Sequence, residues 1–351
     1  MIAQTTILNL TYPPICLCDI RWAEQNNMDF IKKAISNSNL YMIGKKPKAL
    51  FQCDAKAPID GWISFSISQN GKSCSGKINP TLCARLYLDT EQHNYCCSVG
   101  KKCQIKFEYF PDKIWISVET PKFEKMVCYT PEAICQLKSK RAIFLHGFDN
   151  YKDFCNYELL YVGESVDQNT WNRIASSQSS HHKKSVILTD EKVIDNSSSI
   201  GEEIYLFPFK VSKIEHLNAL MPGMSRKEVE RIVKISMMSE QQRHDFYIKT
   251  TLDAEKAYAH SLKTKYNKTT FKKYPFSTNG LHDENLNRYC FVIKEDLHFS
   301  TQFAEINGST DIYDGNTDTI MIDNSKGAEK VYIAKLEKFI SFDELIPMSA
   351  V

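Results

Sequence analysis

Two histidines followed directly by two lysines form a stretch whose residue types could do chemistry, His181-His182-Lys183-Lys184. An imidazole exchanges a proton near neutral pH, and an ammonium group attracts anions. The stretch therefore predicts a site that binds a polyanion and moves a proton. The alternative for the lysines is a solvated basic turn at the end of a helix.

A basic segment lies further along the chain, although the net charge of the whole protein is only +2. Residues 224–275 contain twelve Lys or Arg against six Asp or Glu, and aromatic residues such as Tyr258 and Tyr266 are interleaved with them. This combination is typical of a nucleic-acid-binding surface, and it also occurs in basic helices that bury aromatics. Glu255 within the segment is a candidate ligand for a divalent cation or one member of a surface ion pair.

A strand followed by a helix is predicted upstream of the two histidines. The apolar run at 159–162 ends at Gly163, and Trp171 opens the helix, so a buried strand leads into a helix. Tyr161 stands near the end of the strand, and Arg173 stands on the first helical turns. The simplest interpretation of this segment is a core strand with a glycine turn, followed by a helix that carries an arginine on its solvated face.

The strand and helix resemble the GIY-YIG nuclease superfamily. Its second motif is a strand that ends in Tyr-Ile/Val-Gly, and the arginine on its next helix contacts the scissile phosphate; here these are Tyr161-Val162-Gly163 and Arg173. The family's metal-binding glutamate lies on a helix after the third strand, which the segment from Glu203 to Phe209 is predicted to form. Glu255, with Tyr266-Asn267 shortly after it, matches that position. The resemblance covers about residues 140–275.

The first motif of the family, Gly-Ile-Tyr, lies on a strand that pairs antiparallel with the second. The predicted strand at 141–147 stands one loop before Tyr161, but it contains no Gly-Ile-Tyr. Phe144 and His146 share one face of it, because side chains alternate along a strand. His146 is therefore the candidate for the missing polar group, and the alternative is a core histidine with satisfied hydrogen bonds.

The resemblance implies a metal-dependent endonuclease that hydrolyses phosphodiester bonds of nucleic acid, with DNA favoured over RNA. Tyr161 would position or deprotonate the attacking water, Arg173 would stabilise charge on the phosphate, and Glu255 would hold Mg²⁺ or Mn²⁺. The full set of predicted catalytic residues is Tyr161, Arg173, His181, His182, Glu255 and His146. The predicted substrate-binding residues are Lys183, Lys184, Lys263 and Asn267. A restriction or anti-phage role is an expectation by analogy alone.

Two other functions stay open on the same residues. In one of them the site, which lacks the first-motif tyrosine, is catalytically degenerate and binds nucleic acid or a nucleotide without cutting it. Alternatively, the β-rich ends engage a protein partner or a second copy, and the central part serves as a scaffold.

The predicted fold class is α+β, with a GIY-YIG-like small central sheet and flanking helices between β-rich ends. We expect a β-rich N-terminal module at 1–138, a nuclease-like domain at 139–280 and an acidic β-rich segment at 281–351. Residues 283–351 carry thirteen acidic against six basic side chains. Such a segment is expected to pack back on the N-terminal module, to face a protein partner or to shield the basic groove.

Cysteines are concentrated in the first half of the chain, where eleven of the twelve precede residue 156. No basic region with an apolar core and a cleavage site begins the sequence, so we expect a cytoplasmic protein with reduced thiols. No apolar run is long enough for a membrane span. Zinc is a minor alternative, since no Cys-x-x-Cys pair occurs among the clustered residues Cys74, Cys83, His93, Cys96, Cys97 and Cys103.

Overall fold

A computed structural model defines the fold of most of the chain. It describes residues 4–26, 28–53, 60–167, 169–175, 201–216, 226, 230, 233–234, 237–267, 271–276, 279–284, 286, 288–324 and 330–336. Within these ranges the helices are α1 (Leu17–Gln25), α2 (Asp29–Ser36), α3 (Pro80–Tyr87), α4 (Thr90–Val99), α5 (Pro131–Ser139), α6 (Thr170–Ala175) and α7 (Glu240–Leu262).

The strands belong to three sheets. In chain order they are β1 (Gln4–Leu10), β2 (Ile15–Cys16), β3 (Leu40–Pro47), β4 (Leu50–Gln52), β5 (Ile63–Gln69), β6 (Lys72–Ile78), β7 (Gln104–Tyr109), β8 (Ile114–Glu119), β9 (Glu124–Tyr129), β10 (Leu145–Gly147), β11 (Asn156–Glu164), β12 (Glu202–His216), β13 (Arg288–Ile293), β14 (His298–Ser300), β15 (Glu305–Asn307), β16 (Asp318–Asp323) and β17 (Lys330–Lys335). The chain is thus an α+β protein, as predicted.

The main sheet has ten strands, in the order β15-β14-β11-β3-β12-β1-β13-β16-β17, with β2 paired to β12. It is far larger than the small central sheet expected from the sequence. Strands from the beginning, the middle and the end of the chain lie in it. In particular, β1 pairs in parallel with β13, so the acidic C-terminal strands pack back on the N-terminal ones, the first of the three arrangements expected for them.

The chain forms two compact units. The first comprises residues 1–46 and 157–351 and contains the main sheet; the second comprises residues 47–156 and contains the four-stranded sheet β10-β6-β5-β4 and the three-stranded sheet β7-β8-β9. The second unit is therefore an insertion between β3 and β11. The sequence-based division at 138/139 and 280/281 stays a prediction.

Several elements follow local signals that the sequence carries. Thr130 and Pro131 predict a capped helix start, and α5 confirms it: Thr130 accepts a hydrogen bond from the N–H of Ala133, and Pro131 occupies the first helical position. Apolar residues that alternate with polar ones at 105–109 and again at 114–118 predict a hairpin, and the antiparallel pair β7 and β8 confirms it. The sequence predicts that the Glu255 helix begins near Thr251, but this prediction is wrong, because α7 already begins at Glu240.

The early start of α7 has a physical cause in its cap. Ser239 accepts a hydrogen bond from the N–H of Gln242, and the Gln242 side chain accepts one from the N–H of Ser239. This reciprocal capping box stabilises a first turn that is polar and exposed, so apolar periodicity does not reveal it. Among the described residues, no helix is both long and apolar enough to span a membrane.

Candidate functional site

Two tyrosines lie side by side where β3 and β11 pair in antiparallel register. Tyr41 of β3 stands opposite Gly163, and Tyr161 stands opposite Ile43. Residues two apart on a strand share a face, so Tyr41 and Tyr161 are diagonal neighbours. Their ring centroids are 5.9 Å apart, with the planes tilted by 32°. The strand that pairs with the Tyr161 strand thus supplies a tyrosine, but from residue 41 rather than from 141–147.

Gly163 makes this approach of the two rings sterically feasible. A Cβ atom at position 163 would lie 2.6 Å from Cζ of Tyr41 and 2.6 Å from Cε1 of Tyr161. Real Cβ atoms do not come this close to ring carbons, so a side chain here would push the Tyr41 ring away. The glycine of the Tyr-Val-Gly sequence is therefore explained by the position of Tyr41.

The two phenols are protonated at neutral pH. Burial, followed by the neighbouring Tyr161, raises the pKa of Tyr41 well above its usual range. Burial, followed by the negative charge of Glu255, raises the pKa of Tyr161. The Tyr41 hydroxyl oxygen is buried and has no hydrogen-bond partner in the described part of the chain. An unsatisfied buried hydroxyl is costly, so a group placed beside it is expected to bond to it.

Arg173 is brought to the tyrosines by α6. Its Nη1 donates to the backbone oxygen of Glu164 and, at 2.9 Å, to Oε1 of the same residue. Both hydrogen bonds that the guanidinium makes to described residues use Nη1, which leaves the Nε and Nη2 donors for another acceptor. The positive charge of Arg173 acts on both Tyr41 and Tyr161.

A buried hydroxyl cluster fixes the start of α6. Thr170, at the first position of the helix, donates to the backbone oxygen of Ser38 at 3.0 Å and shares a short hydrogen bond with Ser165. These three residues tie the entrance of β3, the end of β11 and the start of α6 together. Trp171 is buried beside them in one core cluster with Tyr41. The position of Arg173 is thus set by packing and hydrogen bonds rather than by a surface helix.

Glu255 of α7 is the acidic member of the site. Burial, followed by the negative charge of Glu164, raises the pKa of its carboxyl to about 7, against the opposing effect of Arg173 and Lys256. It is half-buried, and it acts electrostatically on both tyrosines. The negative charges of Glu255 and Glu164 are only partly balanced by Arg173 and Lys256. A further positive charge is therefore favourable beside these two carboxylates.

The donor set fits a hard divalent cation of the Mg²⁺ type. Magnesium is usually held by one or two carboxylates together with waters and substrate phosphate oxygens. Glu255, with Glu164 near it, offers that kind of set. Among the described residues, no group of three or more His, Cys, Asp or Glu side chains could hold a metal ion by itself.

Asn267 fastens β11 from the segment that follows α7. Its Oδ1 accepts from the N–H of Val162 at 2.9 Å, and its Nδ2 donates to the oxygen of Val162 at 2.7 Å. Thr264 also donates to Oδ1 of Asn267, and the N–H of Tyr266 donates to the oxygen of Leu160 at 3.1 Å. Asn267, predicted to bind substrate, therefore positions the backbone between Tyr161 and Gly163.

The remaining predicted residues are placed as follows. His146 lies on β10, which pairs with β6 in the second compact unit, so the expectation that the strand at 141–147 pairs with the Tyr161 strand is wrong. Only 145–147 of that segment are extended; Arg141 adopts a positive φ of 57°, which interrupts a strand there. Lys263 is exposed at the left-handed C-cap of α7. The four residues at 181–184 lie outside the described residues.

Sequence reasoning missed Tyr41 and Glu164. The segment from Leu40 to Gly44 reads as one more short apolar run, and nothing local shows that it pairs with a strand more than a hundred residues later. One signal for Tyr41 was present in the sequence: a tyrosine, Tyr41, and a glycine, Gly44, stand on this short apolar strand. The strand lies outside residues 140–275, the region of resemblance.

The clustered cysteines of the second unit do not assemble into one group. Cys97 Sγ lies 3.9 Å from Nε2 of His93, and Cys96 contacts Cys103. Cys83 is buried and shares a 3.0 Å hydrogen bond with the hydroxyl of Tyr129. Whether these thiols bind zinc stays a prediction.

In comparisons with known proteins, no family model, no curated protein and no solved structure matches the chain.

Proposed function

We propose that this chain is a metal-dependent endonuclease of GIY-YIG type that hydrolyses phosphodiester bonds in DNA. One observation carries the proposal: the antiparallel pairing of β3 with β11 places Tyr41 against Tyr161, in electrostatic contact with Arg173 and Glu255. The resemblance to the GIY-YIG superfamily implied roles for Tyr161, Arg173 and Glu255. It also implied that the strand paired with the Tyr161 strand carries a tyrosine. Tyr41 supplies that tyrosine.

In this proposal the portion β11-β3-β12 of the main sheet corresponds to the small sheet of the GIY-YIG fold. β3 lies between β11 and β12, and α6 follows β11 as the arginine helix. The helix α7 follows β12 and carries the glutamate. The second compact unit is then an insertion between the first and second motif strands, which explains why the two motifs are far apart in sequence.

Each side chain has a role that its environment supports. The neutral phenols of Tyr41 and Tyr161 orient the attacking water and a phosphate oxygen by hydrogen bonds. The Nε and Nη2 donors of Arg173, which bond to no described residue, stabilise negative charge that builds up on the phosphate. A proton acceptor with a lower pKa than the phenols is needed, and in this proposal His181 or His182 takes that role as the partner of Tyr161.

Glu255 would hold the divalent cation, which when bound supplies charge stabilisation at the phosphoryl and leaving oxygens. The carboxyl with a pKa of about 7 loses its proton readily once a cation is nearby. Lys183, Lys184 and Lys263 would contact the polyanionic backbone of the substrate.

The test is cleavage of plasmid DNA and of single-stranded RNA with Mg²⁺ or Mn²⁺. Glu255→Gln and Arg173→Ala should each lower the rate on the order of 10²–10³-fold, because each removes stabilisation of the transition state. Glu240→Gln and Arg85→Ala, which change exposed residues of α7 and α3, serve as controls and should cleave at the native rate. Cleavage that survives both site variants, or no cleavage by the native chain, would refute the proposal.

One observation favours the alternative of binding without cutting. The guanidinium of Arg173 already forms an ion pair with Glu164. The side chain of Arg173 is 25% exposed and that of Glu164 is 15% exposed. In that case DNA would bind without a divalent cation, and Arg173→Ala would weaken binding while no product appeared with any metal.

A further inference from the structure

A cavity of about 390 Å³ lies on one face of the main sheet, where β1 is placed between β12 and β13. Its lining residues come from β1, from the last part of β12 and from the segments that follow β13 and β15. None of them belongs to the proposed nuclease site. A volume of this size is in the usual range for a site that holds a small molecule.

An irregularity in β12 shapes one wall of the cavity. The register between β1 and β12 shifts after Ile7, which leaves Ser212 as an extra residue of β12. The Ser212 hydroxyl donates to the backbone oxygen of Ile7 at 3.2 Å. Such a bulge changes the direction of neighbouring side chains and is often found beside functional sites. Ile7 and Asn9 share a face of β1, since side chains alternate along a strand, and both line the cavity.

Asn9 contributes a buried hydrogen-bond acceptor to the cavity. Its Oδ1 is shielded from solvent and accepts no hydrogen bond from any described residue. A buried oxygen without a donor is costly, so a ligand that brings an N–H or O–H group to it gains free energy. Asn9 therefore favours a ligand that carries a donor.

Two charged side chains of the lining can also bind a ligand. The ammonium group of Lys294 makes no hydrogen bond or ion pair with a described residue. Asp311 accepts from the N–H of Tyr313 at 3.2 Å through Oδ1, and its Oδ2 bonds to no described residue. The lysine favours an anionic group of a ligand, and the aspartate favours a cationic one.

The other charges of the cavity balance one another. Lys213 donates to Oε1 of Glu215 at 2.6 Å, and the Tyr313 hydroxyl donates to Oε2 at 2.8 Å. Burial acts to raise the pKa of Glu215, but these bonds and the charges of Lys213 and Lys294 outweigh it and lower the pKa. This carboxyl is therefore ionised at neutral pH. Two lysines and two carboxylates leave the lining without net charge, which disfavours a polyanion such as a nucleotide.

Apolar side chains form the rest of the wall. Ile7 and Ile312 belong to one buried core cluster. The side chain of Tyr313, which also lines the cavity, is 51% exposed, and its hydroxyl is held by Glu215. The ring is thus fixed in position while part of its surface stays open. It can cover an apolar or aromatic group of a ligand.

We propose that this cavity binds a free α-amino acid with a large apolar side chain. The carboxylate of the amino acid pairs with Lys294, and its ammonium group donates to Asn9 and Asp311. Its side chain lies against Ile312 and Tyr313. One ligand then supplies the anion, the donor and the apolar group that the lining favours. The inference does not depend on the nuclease proposal, because the two sites share no residue.

The test is isothermal titration calorimetry of the full chain with L-phenylalanine, which should bind with a Kd below about 1 mM. Two analogues test the charges: 3-phenylpropionate lacks the ammonium group, and 2-phenylethylamine lacks the carboxylate. Each should bind at least about tenfold more weakly, because a charged or buried group of the cavity then loses its partner. No binding of L-phenylalanine, or an analogue that binds as tightly, would overturn the proposal.

Two variants then locate the binding in this cavity. Lys294→Gln and Asn9→Leu should each weaken the binding of L-phenylalanine at least about tenfold. Lys330→Gln, which changes an exposed lysine of β17, is the matched control and should bind like the native chain. Native affinity in Lys294→Gln would overturn the proposal, since the amino acid would then bind elsewhere. If Asn9→Leu fails to fold, the exposed position of Lys294 and the analogue series still decide the matter.

Discussion

Burial is the main cause of the raised pKa values of Tyr41, Tyr161 and Glu255 in the candidate site. Tyr41 and Tyr161 both stay neutral, whereas the carboxyl of Glu255 has a pKa of about 7 and changes charge within the physiological range. The protonation of Glu255 therefore links three properties: the charge of the site, its affinity for a metal ion and the stability of the folded chain. This coupling can be measured without any substrate.

The stability of the chain should depend on pH through Glu255. Its pKa is higher in the folded chain, about 7, than the ordinary value of 4.5, so the folded state binds more protons between these values. The free energy of unfolding should fall as pH rises through this window, by about 2–3 kcal/mol for a half-buried group. Glu255→Gln should remove this loss and be more stable than the native chain at pH 8, but not at pH 4.

Urea unfolding at pH 4, 6 and 8 measures this difference, with Glu240→Gln as the control that keeps the native pH dependence. Added Mg²⁺ at pH 8 should stabilise the native chain and leave Glu255→Gln unaffected, because only the carboxylate binds the ion. An unchanged pH dependence in Glu255→Gln would show that Glu255 is solvated rather than buried beside Glu164.

At the scale of elements, the geometry of the site depends on β11 and its neighbours. β3 supplies Tyr41, the segment after α7 holds Val162 through Asn267, and α6 supplies Arg173 from a start fixed by Thr170. A change in any of these contacts should move the two tyrosines relative to the arginine.

Asn267→Ala should destabilise the chain by about 2–3 kcal/mol, because the N–H and C=O groups of Val162 both lose their partner. Asn267→Asp keeps the acceptor and loses the donor, so about half of that loss is expected. Hydrogen exchange at the Val162 amide should speed up in Asn267→Ala. Asn172→Ala, an exposed asparagine of α6, is the control and should stay within about 0.5 kcal/mol of the native chain. Unfolding that is unchanged in Asn267→Ala would contradict this positioning role.

The sequence predicts those elements whose signals are local. The strand that ends at Gly163, the helix with Arg173, the third strand and the capped helix α5 all follow from periodicity, glycine turns and caps, although the third strand is predicted only over 203–209 and is observed over Glu202–His216. The pairing partner of β11 does not, because strand pairing is a long-range contact that local pattern leaves open. The sequence therefore led to His146, whereas the structure brings Tyr41 to the site.

At the scale of the whole molecule, the main sheet joins three distant parts of the chain. The insertion of residues 47–156 between β3 and β11 separates the two tyrosines by 120 positions although their rings are neighbours. The basic segment at 224–275 contains α7, whereas β13, the first strand of the acidic C-terminal segment, pairs with β1. This separation of charge along the chain is consistent with a polyanionic substrate on the basic part.

The measurement that tests the central claim most directly is single-turnover DNA cleavage by Tyr41→Phe, compared with Tyr247→Phe. Tyr247 is half-buried on α7 and serves as the matched loss of a hydroxyl. If Tyr41 and Tyr161 act together on the phosphate, Tyr41→Phe should bind DNA normally and cleave on the order of 10²-fold more slowly, while Tyr247→Phe cleaves at the native rate. Native cleavage by Tyr41→Phe would contradict the account, since the two tyrosines would then be neighbours in the fold without sharing a reaction.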